Sequence, residues 1–368
     1  LPQPRIMLLR NGFCVKLESL FCSLLSLFPK VIVLALLTWA LLGTTTELHL
    51  NLGRAVAWPI SALLGSLYFL SLYTYFKIIL VGPGSPLDFP DLRLDVSFAE
   101  NSPEVYGRDA EQNETLLSPR RAPPMELLTS HTVEHGETCV RWCAKCHVWK
   151  PDRCHHCSTC KRCYLRMDHH CPWFSCCVGF RNHKFFIQFQ LYVLSFSGTV
   201  VAVSSYLLYD FFATEQYASN KYLSLSLVFL AVLSFAFSIC LAFFAGFLIY
   251  LVLQNLTTIE FHDLRWNYLG DRSADYVYDR HGKKKSVSNF YDLGARRNWT
   301  SVMGTKWWQW LWPVTVAGEK LSGFNSGLNF EVDDEIYDKY VLNLRLQVRF
   351  NEQLQEYRER LRGCRNQE

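Results

Sequence analysis

The sequence predicts an all-α polytopic membrane protein: four transmembrane helices, with a cytosolic cysteine-rich domain between helices 2 and 3. Three observations support this fold class. Hydrophobic residues make up 50% of the 368-residue chain, and they are collected in separate blocks instead of being spread evenly. Cysteine and histidine residues crowd one short segment, 143–177. Lysine and arginine are concentrated outside two short loops between the apolar blocks.

The apolar blocks predict helices 1 and 2 within 29–81 and helices 3 and 4 within 185–253. Each block supplies the roughly 20 mainly apolar residues that a helix needs to cross a bilayer. Buried helices of a soluble domain are the alternative. Four such blocks in one chain argue against it.

The distribution of positive charge predicts the orientation. The loop between helices 1 and 2 carries only Arg54, and the loop between helices 3 and 4 carries only Lys221. The N-terminal segment 1–28, the cysteine-rich segment and the C-terminal region 254–368 are all richer in Lys and Arg. Because positively charged segments stay on the cytosolic side, both termini and the cysteine-rich domain are expected in the cytosol. That compartment also keeps thiols reduced.

The remaining loop divides into two parts. Proline and acidic residues dominate 82–138, which predicts an irregular cytosolic linker without assigned chemistry. The cysteine-rich domain, 139–184, holds nine Lys or Arg residues against Asp152 and Asp168, so it should attract an anion. No recognition helix for nucleic acid is apparent.

Soft metal ligands in the cysteine-rich domain predict zinc. Pairs of cysteines two residues apart let one turn present both sulfur atoms to the same ion. Six cysteines and two histidines make two tetrahedral Cys3His sites. A disulfide framework is the alternative, and the histidines argue against it. Spacing alone does not divide the ligands between the sites. The cysteines are Cys143, Cys146, Cys157, Cys160, Cys163 and Cys177.

One thiol remains, in the tetrapeptide Asp168-His169-His170-Cys171. A cysteine near a histidine that a carboxylate orients is a typical thiolate nucleophile. The tetrapeptide is followed by Pro-Trp, by a cysteine six residues after Cys171, and by GF-x-N-x-KFF over 179–186. This pattern resembles the DHHC protein S-acyltransferases, or palmitoyltransferases, and is most similar to their fungal vacuolar branch.

The resemblance implies the division of ligands and the roles in the tetrapeptide. Cys171 is the nucleophile, His169 its base and Asp168 the group that orients the base, whereas His170 is structural. Both zinc ions are structural, because four protein ligands leave no open position. One implied site is Cys143, Cys146, His156 and Cys163, and the other is Cys157, Cys160, His170 and Cys177.

The implied function is protein S-palmitoylation. A long-chain acyl group passes from acyl-CoA, the co-substrate, to Cys171 and then to a protein cysteine. Lys150, Arg153 and His155 are the candidate contacts of the CoA phosphates, with ordinary surface charge as the alternative. Trp173 is expected to close the acyl cavity near the active site, and an interfacial anchor is compatible with that role.

Two motifs after helix 4 are expected to support the site. Thr257-Thr258-Ile259-Glu260 resembles the TTxE motif of the family, which implies that Thr258 contacts Asp168. A helix-end cap is the alternative role for these threonines. The segment around Asn298 resembles the conserved C-terminal motif of the family, which implies a structural hydrogen bond from Asn298.

The expected partners are the bilayer and membrane-associated proteins with cytosolic cysteines. The resemblance to the fungal vacuolar branch implies an endomembrane location at the vacuole and a myristoylated armadillo-repeat protein among the substrates. A non-catalytic, membrane-tethered zinc adaptor is the rival function. It explains the metal ligands, but it gives no reason for Asp168 and His169 beside Cys171.

Overall fold

The computed structural model of the chain describes residues 12–94, 122–134, 137–216, 222–263, 276–278, 283–286, 288–315 and 326–365. Much of the linker predicted for 82–138, and residues 1–11 of the N-terminal segment predicted for 1–28, lie outside these residues. Helices account for most of the described chain. They are α1 (Gly12–Asn51), α2 (Arg54–Val81), α3 (His183–Ala213), α4 (Leu225–Leu253), α5 (Thr258–Asp263), α6 (Ala295–Met303), α7 (Trp307–Leu311) and α8 (Asp334–Arg365).

Four of these helices are long and apolar enough to cross a membrane by their length and composition. They are α1, within which the candidate span is Leu27–Asn51, together with α2, α3 and α4. The four-helix prediction is therefore confirmed, and the chain is a multi-pass membrane protein. The cysteine-rich segment lies between α2 and α3, as predicted.

The chain forms two compact units, and the first contains most of the membrane helices. It gathers the chain up to residue 79 with 170–176 and 189–242. Its core is built from aliphatic and aromatic side chains such as Leu64, Phe196 and Leu230. Two partly buried hydroxyl groups inside this unit pair with each other: Ser238 donates to Ser197 at 2.9 Å. Pairing matters there because an unsatisfied hydroxyl is costly away from water.

The second unit comprises 80–169, 177–188 and the chain from 243 onward. Its described core clusters join the start of the cysteine-rich segment to the C-terminal region, for example through Leu128, Val148 and Leu328. A separate cluster packs Val133 and Phe290 against the first turns of α8. Sequence patterns did not predict this packing of the linker's end against the tail.

Two-stranded sheets occupy the cysteine-rich segment. Each strand there has only two or three residues, so neither alternation nor β-propensity could predict it from the sequence. The strands of this segment are β3 (Arg141–Cys143), β4 (Val148–Lys150), β5 (His155–Cys157), β6 (Arg162–Tyr164), β7 (His169–Cys171) and β8 (Cys176–Val178). Before it, at the end of the predicted linker, lie β1 (Val133–Glu134) and β2 (Glu137–Thr138), and farther on lie β9 (Tyr276–Tyr278) and β10 (Lys284–Ser286). Consecutive strands pair in each case.

Candidate active site and metal centres

The three hairpins formed by β3–β4, β5–β6 and β7–β8 are repeats of one unit. Each first strand ends on a cysteine, and these three cysteines are spaced 14 residues apart. Each turn closes on a residue with positive φ, again 14 residues apart. The cysteines are Cys143, Cys157 and Cys171, and the turn residues are His147, Lys161 and Ser175, with φ of 49°, 53° and 52°.

Two clusters of soft ligands form on these hairpins. Within each cluster, the four candidate ligand atoms all lie within 4.8 Å of one another. The clusters contain the eight residues, divided in the same way, that the family resemblance implies. The first is Cys143, Cys146, His156 and Cys163, and the second is Cys157, Cys160, His170 and Cys177.

The repeat explains how each cluster is assembled. Two cysteines come from the turn of one hairpin, and a histidine and a cysteine come from the strands of the next. In the first cluster these last two residues, His156 and Cys163, are direct cross-strand partners in β5 and β6. Such partners lie side by side on one face of a two-stranded sheet. Each metal therefore would join two consecutive hairpins.

Separations within the clusters match a tetrahedral zinc ion. Such an ion holds sulfur and nitrogen ligands about 3.6 Å apart and two sulfur ligands about 3.8 Å apart. In the first cluster, His156 Nδ1 lies 3.7 Å from the Sγ atoms of both Cys143 and Cys163 and 3.2 Å from that of Cys146, which is closer than the ideal value. In the second, the Sγ atoms of Cys160 and Cys177 are 3.7 Å apart. The residues therefore fit the ion that their chemistry implies.

The buried thiols of the second cluster also favour a bound cation. Burial, together with the neighbouring thiols Cys157 and Cys160, raises the pKa of Cys177 well above its usual range in the protein alone. A bound zinc ion reverses this effect, because a coordinating thiol is deprotonated outright. Crowded, buried thiols of this kind are thus suited to metal binding.

Asp168 and His169 form a tightly held pair beside the second cluster. His169 Nδ1 lies 2.6 Å from Oδ2 of Asp168, and the carboxyl group is only 1% exposed. Thr258 donates to the same carboxyl group twice, from its backbone N–H to Oδ1 and from its hydroxyl to Oδ2, each at 2.8 Å. The structure thus brings together Asp168, His169 and Thr258.

These contacts fix the charge of the pair. Burial alone would raise the pKa of Asp168, but the hydrogen bond from His169, the nearby charge of His183 and the N–H of Thr258 together lower it below its usual range. An ionised carboxylate can only accept hydrogen bonds. Nδ1 of His169 must therefore carry the proton, which leaves Nε2 as the basic nitrogen of the ring.

Strand β7 separates the roles of consecutive residues. Successive side chains on a strand point to opposite faces, and residues two apart share a face. His169 and Cys171 therefore lie on one face of β7, and His170 lies on the other, where it joins a metal cluster. Two adjacent histidines of the same chemistry thus meet different surroundings.

Cys171 lies in the first unit, in apolar surroundings. Cys171 is 6% exposed. The turn that follows is held by Tyr75, whose hydroxyl donates to the carbonyl of Trp173 at 2.8 Å. Phe174 is buried against Tyr75 and Phe189, with ring centroids 4.9 and 5.3 Å apart. The Trp173 side chain itself is 54% exposed.

A capping box explains the position of Thr258. Thr257 precedes α5, and its hydroxyl accepts a hydrogen bond from the N–H of Glu260 at 3.2 Å. In return, the Glu260 carboxylate accepts from the N–H of Thr257 at 2.8 Å. This reciprocal arrangement fixes the first turn of a helix. The two roles considered for these threonines are therefore divided: Thr257 caps the helix and Thr258 contacts Asp168.

Glu260 makes a second contact that sequence reasoning missed. Its carboxylate accepts two hydrogen bonds from the Arg153 guanidinium, each 2.7 Å long, and both side chains are 2% exposed. Arg153 also donates to Asn255 and lies 4.6 Å from the ring centre of Tyr291. Charge-assisted, two-pronged pairs of this kind are among the stronger polar contacts in proteins.

Arg153 and His155, two of the three predicted CoA contacts, lie in the interior of the described structure. Arg153 is committed to Glu260 and Asn255 in the interior. Burial, reinforced by the charges of Arg141, Lys150 and Arg153, holds the pKa of His155 well below its usual range, so its ring is neutral. Neither side chain presents a positive charge to a phosphate. Lys150, at the end of β4, is half-buried.

Asn298 is buried in α6 and ties three backbone segments together. Its amide group donates to the carbonyl of Leu253 at 2.7 Å and to the Asp292 carboxylate at 2.6 Å. Its side-chain oxygen accepts from the N–H of Leu293 at 3.1 Å. The last turn of α4 is thus connected to the start of α6 through this one side chain.

This fold and site define a class of protein: a multi-pass membrane protein with two candidate Cys3His metal sites and an Asp-His-His-Cys segment in which the carboxylate binds the first histidine. The model of one such family, DHHC palmitoyltransferase, matches residues 137–265, and the chain belongs to that family. Palmitoyltransferase PFA3 of Debaryomyces hansenii is 43% identical over 392 residues, which cover 98% of this chain and 95% of the relative. The protein of the same name from Candida albicans is 44% identical, and the match covers 96% of this chain and 95% of the relative. The one from Saccharomyces cerevisiae is 37% identical, and the match covers 86% of this chain and 88% of the relative.

Proposed function

We propose that this palmitoyltransferase works through an acyl-Cys171 intermediate. The Cys171 thiolate attacks the thioester carbonyl of a long-chain acyl-CoA, and CoA leaves as its thiol. A cysteine thiolate of a substrate protein then attacks the new thioester, takes the acyl group and returns Cys171 to its starting state. Covalent catalysis divides one difficult transfer into two easier ones.

The observation that carries this proposal is the hydrogen bond that joins His169 to the ionised carboxylate of Asp168. Asp168 is ionised and held by Thr258, so it fixes the Nδ1–H tautomer of His169. Nε2 is then available to take the proton of Cys171 and, in the second step, that of the incoming thiol. The carboxylate also stabilises the imidazolium that forms after each proton transfer.

Zinc has a structural role in this proposal. All eight ligands are protein side chains, four in each cluster, and such closed sites hold a fold together without binding substrate. The chain's own residues then perform the chemistry. The clusters fix the hairpins, and β7 orients Cys171 and His169.

Substrate binding is proposed for two further residues. Lys150 is the remaining candidate for a CoA phosphate, and Trp173, which is largely exposed, is the candidate to cover the acyl chain. The acceptors are membrane-associated proteins with cytosolic cysteines. By likeness to the PFA3 proteins, we place the enzyme at the vacuole membrane, with both termini and the cysteine-rich domain in the cytosol, and propose a myristoylated armadillo-repeat protein among its substrates.

The deciding experiment compares wild type with Cys171→Ser, each purified in detergent and incubated with alkyne-tagged palmitoyl-CoA. Wild type should gain a hydroxylamine-sensitive label, and the variant should gain none while retaining two zinc ions per chain. Equal labelling of both proteins would refute the role of Cys171. A label that is absent from folded, zinc-loaded wild type would favour the adaptor function.

A further inference from the structure

Helix α8 is packed into the second unit only by its first turns. Tyr340 and Leu344 are buried there against Val133 and Phe290. From Arg349 onward the described side chains are exposed, with Leu354 as the half-buried exception. At 1.5 Å per residue, this exposed part extends over about 20 Å.

A continuous apolar stripe runs along the exposed part. At 3.6 residues per turn, its five members fall within an arc of about 80°. Four of them are more than half exposed. The members are Leu346 (53%), Phe350 (54%), Leu354, Tyr357 (60%) and Leu361 (51%). The side chains that bury the first turns, including Tyr340 and Leu344, lie on a different face of the helix.

Arginines border this stripe. Three of them flank it on both sides, at about 80° to 100° from its centre, whereas three glutamates and two further exposed arginines, Arg345 and Arg362, lie farther round, at about 120° to 180°. Arg360 also pairs with Glu356 at 3.8 Å. All of these side chains are exposed. The flanking arginines are Arg349, Arg358 and Arg360, and the glutamates are Glu352, Glu356 and Glu359.

We propose that this face of α8 docks on an anionic lipid leaflet. A helix that lies in the membrane interface has leucine and aromatic side chains on one face, basic residues at the polar boundary and acidic residues turned to water. The described part of α8 has all three. Its arginines can bury their stems along the stripe and keep their guanidinium groups at the level of the phosphates.

A second copy of α8 fits the stripe less well. The stripe advances by an average of 3.75 residues, and the seam of a left-handed coiled coil advances by about 3.5. Pairing two stripes would also bring the flanking arginines of both helices together. A lipid surface requires neither a particular register nor opposite charges on a partner helix.

The test uses the full-length protein in nanodiscs of phosphatidylcholine alone or with phosphatidylserine, and it measures hydrogen exchange of the amides of 346–361. Each basic residue near an anionic surface contributes about fivefold to binding, so the three arginines together contribute on the order of a hundredfold. We expect exchange to be at least about tenfold slower with phosphatidylserine. Substituting Arg349, Arg358 and Arg360 by Glu should abolish the difference, whereas substituting Glu352, Glu356 and Glu359 by Gln should preserve it.

Either of two results would overturn the proposal. Exchange that is equally fast in both kinds of nanodisc would show that the helix does not meet the lipid. Protection that appears in detergent and rises with protein concentration would assign the stripe to a second copy of the chain. Zinc content and acylation of Cys171 should match wild type in both variants, which shows that any change is confined to α8.

Discussion

The buried pair Arg153–Glu260 should be essential for stability, and Arg153→Gln tests this. The substitution leaves the Glu260 carboxylate at 2% exposure without its cation. Removing one partner of a buried ion pair costs about 3 to 5 kcal/mol, because the remaining charge is neither solvated nor paired. Loss of the stacking of Arg153 on Tyr291 adds about 0.5 to 1 kcal/mol. This is a large part of the roughly 5 to 15 kcal/mol that stabilises a domain.

The assay is thermal unfolding of the full-length protein in one detergent, with Arg297→Gln as the matched control. Arg297 also pairs with a glutamate, Glu331, at 2.8 Å, but the two side chains are 65% and 60% exposed. An exposed pair contributes about 0 to 1 kcal/mol. Arg153→Gln should therefore lower the melting temperature by on the order of 10 °C, and Arg297→Gln by at most a few degrees. Equal shifts for the two variants would refute the reasoning. Arg153→Met combined with Glu260→Gln should recover part of the loss, because no charge is then left unpaired.

Three further predictions concern the site itself. Thr258→Val removes the hydroxyl donor to Asp168. It should slow acylation of Cys171 by on the order of tenfold, because a hydrogen bond to a charged group contributes about 1.5 to 3 kcal/mol. Thr258→Ser, which keeps the hydroxyl, should act like wild type. His170→Ala should lower the zinc content by about one ion per chain, whereas His169→Ala should keep both ions and lose acylation. An equal loss of zinc in both variants would contradict the alternation of side chains along β7. Phe174→Cys introduces a cysteine at the turn position that the first two hairpins fill with Cys146 and Cys160, and it should make acylation sensitive to added zinc. Phe174→Ser is the control and should be insensitive. Equal sensitivity of the two variants would argue against the equivalence of the three hairpins.

The four membrane helices and the presence of metal ligands could be predicted because their signals are local, whereas the division of the ligands into two clusters came from the family resemblance. A membrane span is a continuous apolar block, and zinc ligands keep short, fixed spacings. The hairpins could not be predicted, since three-residue strands are too short for a period-2 pattern. Their 14-residue repeat was nevertheless present in the sequence, in the spacing of Cys143, Cys157 and Cys171.

The CoA contacts show why charged residues in a basic segment are difficult to interpret. Arg153 was predicted to contact the CoA phosphates, with ordinary surface charge as the alternative. Its partner Glu260 lies 107 residues farther along the chain, and no local pattern connects the two. Burial of a charge depends on such distant partners, so only the tertiary structure distinguishes Arg153 from an exposed arginine such as Arg297.

The repeat also gives a physical account of why Cys171 remains a thiol that can react. In the first two hairpins, the cysteine that ends the first strand is followed three residues later by a second cysteine, and both could hold one metal with a histidine and a cysteine of the next hairpin. In the third hairpin the position of the second cysteine is occupied by Phe174, which is buried against Tyr75. Helix α3 follows where a fourth hairpin would begin. Cys171 therefore has the backbone setting of a zinc ligand without the companion ligands. Under the proposed mechanism, hairpins that bind metal would fix β7, so that Cys171 and His169 could exchange a proton without binding a metal themselves.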